Sequence, residues 1–332
     1  MPQPDRFEQS ATFAALIGRQ VENARILPTD SRNTLIRLTL DGGEKAFLKF
    51  FDAPNDPHGP NRFRREEKVL TLLANVRPPV APRPLGGWVC AEGTAGLLME
   101  DAGTENLADR LMKAENPVEL WEQTAKFVDA LYDGMRLWEL PLQRTALSIS
   151  LDKVNAATLM IRFRTAVRRV TGGEVESRVL SAFRQFVRPA LAGGREVIHN
   201  SLSPLNIVPD DSGWRAIDWE TVTWANPAWD WAELLRAPYR PLPLTQAVEI
   251  AARRVDGDAF LCASLCRCLD ALGTVTLRRQ SQIDKGNEEG ANEYLRRALF
   301  YAEDILRICE LIPPAPALTR ELERITRTVE SA

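Results

Sequence analysis

A short stretch with strand-like alternation, residues 196–220, interrupts the second half of a chain that is otherwise patterned as helix. Its first part places His199 and Asn206 seven residues apart between apolar neighbours. Its second part ends at Asp218, directly after the strand-like segment 214–217. The surrounding helical patterns cover residues 105–113, 117–139, 153–170, 175–190 and most of 244–312. The second half therefore combines a helical framework with one β-rich loop that carries polar side chains.

The first hundred residues are patterned mainly as strands. Two strand-like runs, 33–40 and 45–51, flank Asp41-Gly42-Gly43, a turn that is typical of a hairpin. An apolar face at helical spacing predicts a helix from about Asn61 to Leu73. Further expected elements are a helix over 10–24 and strands over 86–90 and 95–100.

This order of elements predicts an α+β protein with a small β-rich N-terminal lobe and a large helical C-terminal lobe. We place the two lobes at residues 1–101 and 102–332, with the loop 197–220 inside the second. A proline break at 313–316 is expected to precede a last amphipathic helix.

Composition excludes several classes of function. Hydrophobic residues make up 45% and charged residues 26% of the 332 residues, as in ordinary globular proteins. A net charge of −3 argues against nucleic acid as the main partner. No uninterrupted apolar run is long enough to cross a bilayer, and the first nine residues lack the pattern of a secretory signal. We therefore expect a cytoplasmic protein without a nucleic-acid or membrane partner.

The five cysteines are few and odd in number, which fits reduced thiols. Cys262 and Cys266 lie one helical turn apart and could form a metal pair. The chain has only two histidines, His58 and His199, and neither is close to them in sequence. Buried core cysteine is therefore the favoured interpretation.

Transfer of a phosphoryl group from a nucleotide requires positioning and neutralisation of charge more than covalent help. A site for such a transfer uses a lysine on a strand to bind the phosphates, and Lys49 is the candidate. On a strand it points away from the face of Leu48 and Phe50, although a surface lysine on an edge strand is the simpler alternative. Glu66, with Glu67 as the alternative register, is the candidate for the helix carboxylate that orients this lysine.

A divalent cation such as Mg²⁺ prefers hard oxygen ligands. Asn206 and Asp218 offer them in the loop 197–220, twelve residues apart. Asp218 follows an apolar pair at a strand end, where a metal ligand is expected, although a turn residue is the alternative. Glu220 is either a second ligand or a solvent-facing residue.

Two further residues of this region are assigned to structure. His199 is interpreted as a packed residue that holds the loop in place rather than as an acid or base. Asp230 either caps a helix or fastens the loop.

Three segments of the chain resemble the aminoglycoside phosphotransferase and choline kinase-like family. That family typically reads His-Gly-Asp-Leu-His-Pro-Gly-Asn-Ile, then Ile-Asp-Trp-Glu, then Asp-Pro-x-x-Asp-Leu-Ala. The matching segments are residues 199–207, 217–220 and 226–232. Upstream, residues 31–38 are similar to the family's nucleotide loop and residues 97–101 to its hinge.

The resemblance implies a bilobal protein-kinase-like fold that binds ATP and Mg²⁺ and transfers phosphate to a hydroxyl of a small molecule. It implies that Asn33 and Thr34 lie in the nucleotide loop and that Met99 and Glu100 lie in the hinge that holds adenine. The chain departs from the family in having no glycine between Leu27 and Leu40.

The larger departure is Ser201, which stands where the family has its catalytic aspartate. A serine hydroxyl does not accept a proton near neutral pH as a carboxylate does. The chain is then either an unorthodox or slow phosphotransferase, or a pseudokinase that binds nucleotide and regulates a protein partner, or a sequence altered at this position. All three interpretations require Lys49, Asn206 and Asp218 to converge on one cleft, with Ser201 at its floor.

Overall fold

The computed structural model describes residues 15, 18–27, 33–51, 58–89, 95–103, 105–148, 154–210, 213–236, 238–240 and 242–332. It divides into two compact units. The first unit consists of residues 1–107, 126–151 and 205–222, and the second consists of residues 108–125, 152–204 and 223–332. The predicted lobe boundary between residues 101 and 102 stays a prediction.

The first unit contains a five-stranded antiparallel sheet with the strand order β1-β2-β3-β5-β4. The strands are β1 (Val21–Ile26), β2 (Thr34–Leu40), β3 (Lys45–Phe51), β4 (Pro84–Val89) and β5 (Ala95–Glu100). The predicted hairpin is present, because Asp41–Gly43 joins β2 to β3. Gly42 and Gly43 adopt φ values of 81° and 78° there, which side chains disfavour.

The helix predicted over residues 10–24 is wrong from Val21 onward, and residues 10–14, 16 and 17 lie outside the described residues. Val21–Ile26 forms β1 and pairs with β2, with Ile26 opposite Ile36. The apolar spacing of this segment is compatible with either element over so few residues, and pairing with a neighbouring strand decided the outcome.

One face of the sheet packs into a core, to which β2 contributes Ile36, Leu38 and Leu40 and β3 contributes Leu48 and Phe50. The opposite face of β3 presents the residues between these. Phe51 on that face makes an edge-to-face contact with Phe63 of α1 (Gly59–Leu73), with ring centroids 5.9 Å apart. The helix therefore packs on the side of β3 that also carries Lys49.

A second hairpin of the first unit lies close to the site in the chain. β7 (Ile207–Asp210) pairs with β8 (Gly213–Ala216), and a short 3₁₀ turn follows at Trp219–Thr221. The amide of Ala216 donates to the carbonyl of Val80, at 2.8 Å. This hydrogen bond ties the second hairpin to the segment between α1 and β4.

The second unit is mainly helical, which together with the sheet of the first unit confirms the predicted α+β class. Several helices begin at side-chain caps, for example Asp256, whose carboxylate accepts from the amide of Ala259 at 2.8 Å. Two short strands, β6 (Glu196–Ile198) and β9 (Thr223–Ala225), pair with each other. Across the described residues of both units the remaining helices are α2 (Leu107–Lys113), α3 (Pro117–Leu137), α4 (Glu139–Ser148), α5 (Ala156–Thr171), α6 (Ser177–Phe186), α7 (Arg188–Leu191), α8 (Ala228–Leu234), α9 (Leu244–Ala252), α10 (Gly257–Asp284), α11 (Glu288–Leu311) and α12 (Pro316–Glu330). Two of them, α2 and α3, run across the bounds of the units.

The helix α10 is the centre of the second unit and packs against α5, α7, α8, α9 and α11. Cys262 and Cys266 are buried in it, as predicted for core cysteines. By length and composition α10 is, among the described residues, the one helix that could cross a membrane, although none of its unbroken apolar runs is long enough to do so. Its most apolar window is 78% buried inside the protein, as expected of a core helix.

Candidate functional site

Lys49 lies on β3, in the middle of the five-stranded sheet, where its neighbours are Leu35 on β2 and Leu97 on β5. Only 5% of the residue is exposed, so the alternative of a surface lysine on an edge strand is wrong. An ammonium group is seldom buried to this degree unless other groups compensate its charge.

Three carboxylates of the same unit supply that compensation. The Nζ of Lys49 lies 2.8 Å from Oε2 of Glu66, 2.5 Å from Oδ1 of Asp218 and 3.3 Å from Oε2 of Glu220. The register alternative is thereby decided in favour of Glu66 over Glu67. Glu66 uses its other oxygen, Oε1, to accept from the amide of Trp219 at 3.2 Å. One helix carboxylate therefore binds both the lysine and the backbone just after Asp218.

Burial and charge act in opposite directions on the pKa values of this group. Burial alone would lower the pKa of Lys49, but Asp218, Glu66 and Glu220 raise it above its ordinary value. Burial raises the pKa of Glu66 to about 7, although the charge of Lys49 acts to lower it. Lys49 is consequently a permanent cation that faces an excess of acidic oxygens.

Asp218 is the member of this cluster best placed to meet a ligand. Its side chain is 36% exposed, whereas those of Glu66 and Glu220 are 1% and 4% exposed. The backbone at Asp218 turns into the left-handed region, with φ 66° and ψ 57°, which ends the strand-like run of β8. A left-handed turn is tolerated by aspartate better than by most residues.

Asn206 lies beside this turn in the hairpin, because the amide of Ile217 donates to the carbonyl of Asn206 at 2.9 Å. The donor set fits a hard divalent cation. One oxygen each of Glu66, Asp218 and Glu220 lies within 4.8 Å of the others, and Asp218 is the partly exposed member that could offer its oxygens to such a cation.

Two buried arginines of α1 belong to the same region and were not predicted from the sequence. Arg65 donates from Nη1 to the carbonyl of Glu220 at 3.0 Å, and Nε of Arg62 lies 3.7 Å from Oε2 of Glu220. Glu220 is 3% exposed, so the alternative that it faces solvent is wrong. The signal in the sequence was the spacing of Arg62, Arg65 and Glu66, which share one helical face at intervals of three and four.

The remaining nucleotide-site candidates lie on the same sheet. Asn33, which is 2% exposed, donates from Nδ2 to Oε2 of Glu220 at 2.8 Å, and Thr34 begins β2. Met99 and Glu100 end β5 at the start of the connecting segment. Glu100 belongs to a separate group of charges.

That group joins Glu100 to two arginines. Nε of Arg83 lies 2.8 Å from its carboxylate, and Nη1 of Arg215 lies 2.9 Å from it. Partial burial acts to raise the pKa of Glu100, but hydrogen bonds from Arg83 and Arg215 outweigh it and lower the pKa below its ordinary value. The hinge candidate is therefore fixed by the second hairpin.

The loop that carries Ser201 lies in the second unit and is fastened through its backbone. Asp230 of α8 accepts from the amide of His199 at 2.8 Å and from the amide of Asn200 at 2.7 Å. Asp230 therefore fastens the loop, which was one of its two predicted roles. His199 is fully buried and its Nδ1 lies 3.3 Å from the amide of Ser201, as expected of a packed residue.

Arg267 of α10 is a second anchor of this loop and was missed in the sequence. Its Nη2 lies 2.9 Å from the carbonyl oxygen and 3.0 Å from Oδ1 of Asn200. The guanidinium is also 3.3 Å from Glu233 and packs over the ring of Trp229. Asn200 has φ 65°, which explains physically why a related loop would place glycine here.

Comparison with known proteins assigns the chain to a family. Residues 23–262 match the model of the phosphotransferase enzyme family, APH, which covers more than half of the chain. The chain belongs to this family, and the resemblance noted in its sequence is confirmed. No curated protein matches the chain.

Solved structures of aminoglycoside phosphotransferases share the fold. The GDP complex of aminoglycoside 2'-phosphotransferase-IIIa matches with a TM-score of 0.63 at 16% identity, over 92% of this chain and 99% of that one. The GDP and kanamycin complex of the same type of enzyme gives 0.65 at 14%, over 91% and 99%. A ternary complex of the phosphotransferase APH(4)-Ia with AMP-PNP and hygromycin B gives 0.54 at 13%, over 97% and 98%. These likenesses confirm the kinase-like fold.

Proposed function

We propose that this protein binds ATP and Mg²⁺ and transfers the γ-phosphate of ATP to a hydroxyl group of a small molecule. The observation that carries the proposal is the buried Lys49, bound by Glu66 at 2.8 Å and by Asp218 at 2.5 Å. Three segments far apart in sequence supply these groups. A buried lysine whose pKa is held high serves as a fixed positive charge for phosphate oxygens.

Each residue of the first unit has a distinct task in this proposal. Lys49 binds the nucleotide phosphates, and Glu66 keeps its ammonium in place. The start of β2, with Asn33 and Thr34, borders the phosphates. The backbone near Met99 and Glu100 holds the adenine.

Asn206 and Asp218 would hold the metal ion. The supporting observation is the chemistry of the donors, which are hard oxygens on one hairpin with Asp218 partly exposed. When bound, Mg²⁺ neutralises charge on the phosphate oxygens. In the structure Asp218 contacts the ammonium of Lys49, so it exchanges part of that contact for the ligand on binding.

The family and the neighbouring structures support a small-molecule acceptor. The solved relatives include complexes with kanamycin and with hygromycin B and with the nucleotides GDP and AMP-PNP. For this chain we propose a hydroxyl-bearing small molecule together with ATP, in the cytoplasm, without nucleic acid or membrane as partner.

Ser201 supports a second candidate function, that of a pseudokinase. In this alternative the chain binds nucleotide through Lys49 and Asp218 and regulates a protein partner without transferring phosphate. A general base is worth typically about 10²- to 10⁴-fold in rate, so its replacement by a hydroxyl slows transfer without removing the nucleotide site.

Nucleotide binding is tested first, by thermal unfolding of the purified chain with ATP and MgCl₂. A ligand at a hundred times its Kd stabilises a protein by about 2.7 kcal/mol, so a clear rise in Tm is expected. The variant Lys49→Met should show no such rise although it is folded. Absence of any shift in the wild-type protein contradicts both candidate functions.

Restoring the carboxylate separates the two candidates. If Ser201→Asp releases ADP from ATP at least about 100-fold faster than the wild-type chain, residue 201 limits the rate and the pseudokinase is favoured. If the wild-type chain already phosphorylates a metabolite mixture at rates of an ordinary kinase, the pseudokinase is excluded. The measurement is ADP release coupled to a spectroscopic assay, with Asp218→Asn as the inactive control.

A further inference from the structure

Glu220 is the point at which three separate segments of the first unit meet. Its Oε2 accepts from Nδ2 of Asn33 at 2.8 Å, and lies 3.3 Å from Nζ of Lys49 and 3.7 Å from Nε of Arg62. Its carbonyl accepts from Arg65 at 3.0 Å. The side chain of Glu220 therefore contacts the start of β2, the middle of β3 and one face of α1.

This geometry makes the positions of the donors interdependent. A buried carboxylate is stable only where donors compensate its charge, and Glu220 is 3% exposed. Because Asn33, Lys49 and Arg62 all lie near the same oxygen, removal of that oxygen leaves the amide and the ammonium without their common acceptor. Lys49 then depends on Glu66 and on the partly exposed Asp218.

Glu220 differs from Asp218 in what its oxygens face. Asp218 is 36% exposed and can turn to a ligand, whereas the side chain of Glu220 is 4% exposed and its Oε2 faces donors of the protein. Only Trp219 separates the two acidic residues in the chain, yet their surroundings suit different tasks.

We propose that Glu220 is a positioning residue, which holds Lys49 and, through Asn33, the start of β2 in place for the nucleotide phosphates without itself binding nucleotide or metal. This inference rests on the proposed nucleotide binding. It assigns Asn33 a supporting role as well, because its amide donor is committed to Glu220 rather than to a phosphate.

A double-mutant cycle on nucleotide affinity tests the pair. The dissociation constant of ATP is measured by calorimetry for wild type, Glu220→Gln, Asn33→Ala and the double variant, each with MgCl₂ and with EDTA. Each single change should weaken binding roughly tenfold, since Glu220→Gln removes the negative charge of the acceptor and Asn33→Ala removes the donor of a charge-assisted hydrogen bond. In the double variant the Kd of ATP should rise by less than the product of the two single increases. The difference, which is the coupling, should be at least about threefold in Kd.

The comparison of MgCl₂ with EDTA separates a positioning residue from a metal ligand. A positioning residue acts on the phosphates through Lys49, so Glu220→Gln should weaken ATP binding by a similar factor with MgCl₂ and with EDTA. A loss confined to MgCl₂, with independent effects at Asn33, would identify Glu220 as a metal ligand and overturn the inference.

A matched control removes a buried carboxylate of the second unit. Asp304, which is 6% exposed and is bound by Arg240 at 2.7 Å, is changed to asparagine. Asp304→Asn should lower Tm and leave the Kd of ATP unchanged. If Glu220→Gln behaves like this control, the role of Glu220 is structural only and the inference is wrong.

Absence of ATP binding and an insoluble variant are interpreted separately from the outcomes above. If the wild-type chain binds no ATP under either condition, the proposed function fails rather than the role of Glu220 within it. If Glu220→Gln is insoluble, Glu220→Asp replaces it in the cycle, since it keeps the charge and withdraws the oxygen from Asn33 by one methylene group.

Discussion

The two regions that carry the family's motifs are held by different kinds of contact. In the first unit, side-chain charges bind side-chain charges, with the ammonium of Lys49 among Glu66, Asp218 and Glu220. In the second unit, most of the contacts that hold the loop are made to its backbone, by Asp230 and by Arg267, although Arg267 also binds the side chain of Asn200. Charged side chains can exchange partners when a ligand binds, whereas contacts to the backbone fix the path of the chain.

The difference explains how the loop keeps its shape around Ser201. The contacts that define it come from Asp230 and Arg267 and act on His199 and Asn200. The amide of Ser203 donates to the carbonyl of Ser201 at 2.8 Å, which again involves only backbone at this position. The backbone path of the loop from His199 to Ser203 is therefore held by these hydrogen bonds.

The largest effect is expected at the charge cluster. Lys49→Met leaves Glu66, Asp218 and Glu220 without their shared ammonium. Breaking a buried ion pair from one side costs about 3–5 kcal/mol, so a loss of this size is expected in urea unfolding at pH 8. A loss below about 1 kcal/mol would show that other groups compensate the charges of the carboxylates. The cluster would then contribute less to the free energy of unfolding than the anchors of the loop do.

Removal of the backbone anchor is expected to cost somewhat less. Asp230→Ala leaves the buried amides of His199 and Asn200 without their acceptor, at about 2–4 kcal/mol in the same unfolding experiment. Asp133→Ala is the matched control, because this aspartate is 75% exposed in a surface pair with Arg136 and should change stability by less than about 0.5 kcal/mol. Equal effects of the two variants would contradict the anchoring role.

A smaller effect separates backbone conformation from side-chain contact at residue 200. Asn200→Ala loses the bond from Arg267 and places a disfavoured residue at φ 65°, which should cost about 1–2 kcal/mol. Asn200→Gly loses the same bond but accepts the conformation, and should cost about 1 kcal/mol less than the alanine variant. If glycine is as destabilising as alanine, the contact with Arg267 dominates.

The smallest effect concerns the interior of the second unit. Burial raises the pKa of Cys262 to about 12 and that of Cys309 to about 11, and the pKa of Cys266 also rises through burial. A thiol above its ordinary pKa holds less thiolate at pH 8, so these residues should resist iodoacetamide until the unit unfolds. Site-resolved mass spectrometry after labelling, with and without urea, measures this. Rapid labelling of Cys266 without urea would show that the helical unit opens more easily than the loop anchors suggest.

Local patterns were enough to predict part of the fold. Asp41-Gly42-Gly43 predicted the hairpin because a turn needs residues that tolerate positive φ. The alternation of Leu48, Lys49 and Phe50 predicted which face the lysine occupies. Its partner was predicted as Glu66 or Glu67, and the structure selects Glu66. These predictions concern neighbours within about twenty residues of one another.

Contacts between distant segments could not be predicted in this way. Asn33 and Glu220 are 187 residues apart and nothing in either local pattern specifies their hydrogen bond. Arg267 lies in a helix whose apolar pattern marks it as core, and its bond to Asn200 depends on how that helix packs. The strand at Val21 was mistaken for helix for the same reason, since its pairing with β2 is set by the sheet and not by its own residues.

The left-handed backbone at Asp218 limits which residues this turn accepts without strain. Glycine and asparagine accept φ 66° as readily as aspartate does, so either could replace Asp218 without disturbing the hairpin. The conformation of the turn therefore does not require a carboxylate. The ammonium of Lys49 does, since it lies 2.5 Å from Oδ1 of Asp218, and under the proposed function the metal ion requires it as well.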